Sequence, residues 1–146
     1  SRGVTAIYCS SDILPNEKLI IEELLSSIGT VSFVSNEEQI DLITAISGSG
    51  PAYFFYLTEV LTEIAIDLGI SKDDAINFAK NTFIGSAILL DSEKSNNATS
   101  LRKNVTSPGG TTEAALKILM NEDEGLKVIF KKAVLNAISR AHELKN

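Results

Sequence analysis

The apolar positions of this chain change their period near residue 35. Val4-Thr5-Ala6-Ile7-Tyr8-Cys9 is a β-branched and aromatic run that predicts a strand. Ser10, Ser11, Asp12 and Pro15 then punctuate a turn. Over residues 16–28, Leu19, Ile20, Leu24 and Ile28 recur at helical spacing, with Glu17, Lys18, Glu22 and Glu23 on other faces. Gly29 is a natural helix stop, and Thr30 to Val34 alternates like a half-buried strand. The first 35 residues therefore read strand–helix–strand, the trailing part of an α/β domain.

Beyond Ser35-Asn36 no strand pattern is evident. Glu37 to Ala45 predicts a helix, broken at Ser47-Gly48-Ser49-Gly50-Pro51. A long helix over about 52–68 follows, with Pro51 tolerated in its first turn. Tyr53, Phe54, Leu57, Val60, Leu61, Ile64, Ala65 and Leu68 make it apolar enough to be buried on more than one side. Gly69 ends it, and Ser71-Lys72-Asp73-Asp74 resembles a capping box with Asp in place of Glu. The next helix carries Ile76, Phe78, Ala79, Phe83, Ala87 and Leu90. Residues 95–100 form a polar connection or cap, and a short helix around Leu101 and Val105 follows. Further helices are predicted from about Thr112 to Leu119 and from about Glu124 to Leu144.

The 146 residues suit one domain, or one domain with part of a second, and are enough to bury a sizeable core. A net charge of −6 argues against nucleic acid or an anionic membrane as partner. One Cys (Cys9) and one His (His142) leave no disulfide framework and no Cys/His zinc site. His142 reads as a solvated residue of the last helix. No apolar run approaches a membrane span. The opening Ser-Arg-Gly has no initiator Met and no signal peptide, so residues 1–10 read as the middle of something longer, and a cytoplasmic location is expected.

Four of the nine glycines and two of the three prolines fall in Ser47–Pro51 and Ser107–Gly110. Each motif is expected to lie between helices and to feed a helix N-terminus, an arrangement suited to a carboxylate or phosphate. Glycine allows close approach to the backbone, and Ser107, Thr111 and Thr112 add hydroxyls. The bland alternative is that both clusters merely cap helices. Ser107–Thr112 lacks the Lys-Ser/Thr pair of a P-loop. Ser47–Gly50 superficially resembles a nucleophile elbow, but no partner for it is evident. Glu93, closing the Leu89-Leu90 helix, is either an exposed polar residue or a carboxylate that meets a cationic substrate nitrogen.

Ala45-Ile46-Ser47-Gly48-Ser49-Gly50-Pro51-Ala52-Tyr53 resembles the start of the C-terminal domain of pyrroline-5-carboxylate reductases. Asn104 to Thr112, followed by Ala115 and Leu116, is similar to that family's signature segment. Their separation, Leu89 to Glu93 and the closing helix fit the same pattern, and Arg2-Gly3-Val4-Thr5 fits the last part of the family's nucleotide domain. The resemblance covers essentially the whole chain. It implies a mainly α fold, a helical dimerisation domain of the 6-phosphogluconate dehydrogenase C-terminal-like type at 36–146. The C-terminal remnant of a Rossmann domain precedes it at 1–35. The family reduces 1-pyrroline-5-carboxylate to L-proline with NADPH or NADH, the last step of proline biosynthesis. Its members form homodimers, some of which build larger rings.

The resemblance further implies that the Ser107–Thr112 loop, with Ser107, Gly109, Gly110 and Thr111, holds the substrate carboxylate. Thr112 would be the catalytic residue, bonding the ring nitrogen. Glu93 and Asn104 would shape the pocket, and Ser47, Gly48, Ser49 and Gly50 would support it. Hydride transfer to a protonated imine needs little side-chain acid–base help, so the scarcity of His and Cys is no obstacle. No G-x-G-x-x-G occurs in the 146 residues. The chain alone is therefore expected to bind no NAD(P)H and to show no reductase turnover. One competing reading is a non-catalytic helical dimerisation module from a truncated or split gene. Another is a related imine or β-hydroxyacid reductase, which the Ser-Pro-Gly-Gly loop argues against.

Overall fold

The structure, a computed structural model, describes residues 2–92 and 97–145. It divides into two compact units, Ser1–Pro51 with Lys132–Asn146, and Ala52–Lys131.

The first unit opens with β1 (Gly3–Tyr8), α1 (Pro15–Ser26) and β2 (Gly29–Val34). The strands pair in parallel from Gly3 opposite Gly29 to Tyr8 opposite Val34. Parallel neighbours need a crossover, and α1 supplies it. Pro15 sits in the first turn of α1, where its missing N–H costs nothing. Glu17 Oε2 accepts the Leu14 N–H at 2.8 Å and closes that end. Gly29 begins β2 instead of terminating α1, whose last residue is Ser26.

Asn36 caps the next helix by accepting the Gln39 N–H on Oδ1 at 3.1 Å. This helix, α2 (Glu38–Ile43), does not stop at the Ser/Gly cluster as the pattern predicts. It passes into a π-helical turn, Thr44–Gly48, and α3 (Gly50–Asp67) starts two residues later. Ser47 Oγ donates to Ile43 O at 2.9 Å, and Ser49 N–H donates to Thr44 O at 2.9 Å. Small residues let the helix widen to i→i+5 bonding without a steric penalty, which is why residues that usually break a helix here only bulge it.

In the second unit, α3 stops at Asp67, just before Gly69, and Ile70 N–H donates to Ala65 O at 3.0 Å. Before α4 (Lys72–Ser92), Ser71 Oγ donates to Asp74 Oδ2 at 2.7 Å and accepts the Asp74 N–H at 3.3 Å. The expected box is thus present in a side-chain-to-side-chain form. Then come α5 (Ala98–Asn104), α6 (Thr111–Leu119) and α7 (Leu126–Glu143). Of the two roles expected for residues 97–100, connection or cap, the cap is the one formed, at the start of α5. Asn97 Oδ1 accepts the Ser100 N–H at 3.0 Å.

The packing departs most from expectation. Among the described residues the buried apolar side chains are Ala45, Ala75 and Ala79, and no large side chain is fully buried. The sizeable core that the length allows is not formed by this chain on its own. Aromatic contacts join α3 to its neighbours, Tyr53 edge-on to Phe130 at 5.8 Å and Phe54 tilted on Phe83 at 5.6 Å. Yet Phe55 is 67% exposed, and Tyr56, Leu61 and Leu68 lie open as well. Among the described residues no helix is long and apolar enough to cross a membrane.

Candidate functional site

The Thr106–Thr112 segment is shaped by its own residues. Ser107-Pro108-Gly109-Gly110 is a β-turn closed by Gly110 N–H donating to Ser107 O at 3.0 Å. Pro108 occupies the second position and Gly109 the third, where φ is +71°. That is the type II pattern, in which proline presets one torsion and only glycine takes the next without strain. Gly110 then serves as N-cap of α6 with extended backbone and no side-chain cap. A Cβ on Gly110 would run into Ser107 Oγ.

The consequence is a helix start whose polar groups face outward. Among the described residues no backbone acceptor takes the N–H of Thr111, Thr112 or Glu113, the first three helical amides. These amides and the helix dipole favour an anion. One carboxylate is already nearby, since Glu113 Oε2 accepts the Gly109 N–H at 2.8 Å. On the entry side, Thr106 Oγ1 donates to Arg102 O at 2.6 Å, and the Arg102 guanidinium reaches Met120 Sδ at 3.3 Å.

Two cavities flank this turn. One, of about 750 Å³, is walled by Arg102, Thr106, Gly109, Gly110, Glu113 and Lys117, among others. The second, of about 610 Å³, is mainly apolar and takes in Thr112, Leu89, Leu90, Leu101 and Val105. The expected residues are therefore divided. Gly109 and Gly110 line the polar cavity, Thr112 lines the apolar one, and Asn104, Ser107 and Thr111 are exposed beside the turn. Glu93 lies outside the described residues. Ser47, Gly48, Ser49 and Gly50 belong to the other compact unit. They form the π-helical turn and the start of α3, not the open, helix-feeding loop that their spacing predicts.

The pattern of the sequence passed over Arg102, Glu113 and Lys117. Arg102 and Lys117 stand in the last turns of α5 and α6 and Glu113 in the first turn of α6, where such charges are ordinary. The signal for Glu113 was its place four residues beyond Gly109, within reach of that amide. Among the described residues no group of three His, Cys, Asp or Glu side chains could hold a metal ion.

Residues 37–144 match the family model described as pyrroline-5-carboxylate reductase dimerisation. The chain belongs to the pyrroline-5-carboxylate reductase dimerisation family. A pyrroline-5-carboxylate reductase of Pseudomonas aeruginosa is 36% identical over 143 residues, covering 98% of this chain and 51% of the relative. One from Mycobacterium tuberculosis is 38% identical over 159 residues, covering 98% and 53%. Among solved structures, the Coxiella burnetii pyrroline-5-carboxylate reductase superposes with a TM-score of 0.86 at 39% identity, covering 98% of this chain and 52% of that one. The Plasmodium falciparum enzyme, solved with NADP bound, gives 0.66 at 28% identity, covering 94% and 50%. This member of the reductase dimerisation family spans about half the length of the relatives it matches.

Proposed function

We propose that this chain supplies the dimerisation and substrate-binding half of an NADPH- or NADH-dependent reductase that converts 1-pyrroline-5-carboxylate to L-proline in the cytoplasm. Residues 36–146 are the working domain, and residues 1–35 are the trailing edge of the nucleotide-binding one. The observation that carries the reading is the Pro108-Gly109 turn, which leaves the Thr111–Glu113 amides without a backbone acceptor. The substrate carboxylate meets those amides, and the Thr112 hydroxyl holds the ring nitrogen. Binding and orientation are then the chain's contribution, with charge stabilisation from the backbone. Ser107 and Thr111 border the carboxylate, and Glu93 and Asn104 shape the pocket.

No dinucleotide site is assigned to the described residues on this reading. The turn between β1 and α1 carries Ser10-Ser11-Asp12 instead of glycines. Bonding from Ser10 holds the Asp12 carboxyl below its ordinary pKa, so this turn carries a negative charge, which does not favour a phosphate group. No hydride-transfer step is assigned to this chain, and the chain alone gives no reductase turnover.

The homodimer is part of the proposal. The exposed Phe55, Tyr56, Leu61 and Leu68 make α3 a face that a second copy would cover. The same face also favours a second reading, a module that dimerises and catalyses nothing.

Titration of the 15N-labelled chain with L-proline separates the two readings. The reductase reading expects saturable shifts at Gly109–Glu113. A dimer whose loop amides ignore L-proline would overturn it and leave the module. Robust pyrroline-5-carboxylate reduction by the chain alone would overturn the predicted inactivity.

A further inference from the structure

Asp41 is the one charged residue buried among the described residues, at 4% exposure. Its carboxylate meets groups more than a hundred positions away in sequence. Lys145 Nζ lies 2.9 Å from both Oδ1 and Oδ2, and His142 Nε2 lies 3.0 Å from Oδ2. All three belong to the first compact unit, so the contact lies within one body. Glu37 and Glu38 line the same small cavity, leaving Lys145 as the permanent cation there. Arg140, one turn earlier, is engaged with Glu143 at 2.7 Å.

We infer that the C-terminal end of α7 is an ionic latch closed on Asp41, and that the charge of Lys145 keeps it shut. A buried carboxylate stripped of its cation is costly, because it loses its partner without regaining water. The bond to Asp41 raises the Lys145 pKa, as a closed latch requires. Opening it would also reach the π-helical turn. Asp41 O accepts the Thr44 N–H, Thr44 O accepts the Ser49 N–H, and Asp41 shares one helical face with the buried Ala45. The latch thus steadies the segment that contains Ser47–Gly50 from the far end of the chain. Lys145 is half-exposed, so neutralising its charge by modification would open the latch from outside.

Hydrogen exchange on the full chain tests this through Lys145→Gln and Lys145→Arg, exposed changes that leave Asp41 in place. Lys145→Gln is expected to speed exchange over residues 38–48 and 138–144 by about tenfold, with α4 unchanged. Lys145→Arg should restore protection, because the charge returns. Protection unaltered in Lys145→Gln would overturn the latch. So would loosening of every helix together, or an equal loss in Lys145→Arg.

Discussion

Replacing Gly109 by Ala is the sharpest probe of how the site is built. Nothing lies within 4 Å of where the new Cβ would stand, so packing adds no cost. The penalty is the backbone itself, held at φ +71° by the turn. An L-residue forced into that region costs about 1–2 kcal/mol. With a urea m-value of about 2 kcal/mol/M, the unfolding midpoint should fall by about 0.5–1 M. Protomer concentration must be held fixed, since dimerisation would add to apparent stability. Gly110→Ala is the matched control, because φ there is −83° and suits any residue. Its cost would come from crowding, with the Cβ against Ser107 Oγ and 3.1 Å from Ser107 O. Ser107→Ala should therefore recover part of the loss in Gly110→Ala and none in Gly109→Ala. A Gly109→Ala midpoint within about 0.2 M of the parent would refute the strain argument. Rescue of both variants by Ser107→Ala would refute the division between strain and crowding.

Other expectations can be checked on the same protein. Asn97→Ala removes the cap of α5 and should cost about 1 kcal/mol in urea unfolding, with Asn97→Asp close to neutral. The pH dependence has two edges. Asp12, with its folded pKa lowered, adds stability above the ordinary 3.8 that is lost as pH falls through the folded value. Lys145, with its folded pKa raised, adds stability below 10.5 that is lost as pH climbs through the folded value. Melting curves of Asp12→Asn and Lys145→Gln should therefore converge on the parent at the acid and alkaline ends respectively. Phe55→Asp, on the open face of α3, should weaken self-association by at least about tenfold in sedimentation. Unchanged association would place the interface elsewhere.

Much of the secondary structure could be read from local pattern. The strand–helix–strand opening followed from the shift between two apolar periods, and the structure adds that the two strands pair in parallel. The end of α3 and the start of α4 followed from Gly69 and the Ser71–Asp74 pair. Ser47–Gly50 misled, because the same small residues that break a helix also permit a π-helical turn. At residues 97–100 the capping alternative is the one realised, because the Asn97 side chain can take a free amide of the first turn. His142, read as solvated, is more than half exposed but also meets Asp41, as Lys145 does, and no local pattern spans the 104 residues between Lys145 and Asp41.

By itself, the sequence determined the family motifs and the Pro108-Gly109 turn, because backbone torsions and caps depend on residues a few positions apart. The tertiary structure alone decided that Thr112 and Gly109 open onto different cavities. It alone placed Lys145 on Asp41 and left Ala45, Ala75 and Ala79 as the buried apolar side chains. Burial, cavities and ion pairs depend on which distant surfaces meet. An apolar helix such as α3 states its need for cover without saying whether its own chain or a second copy provides it.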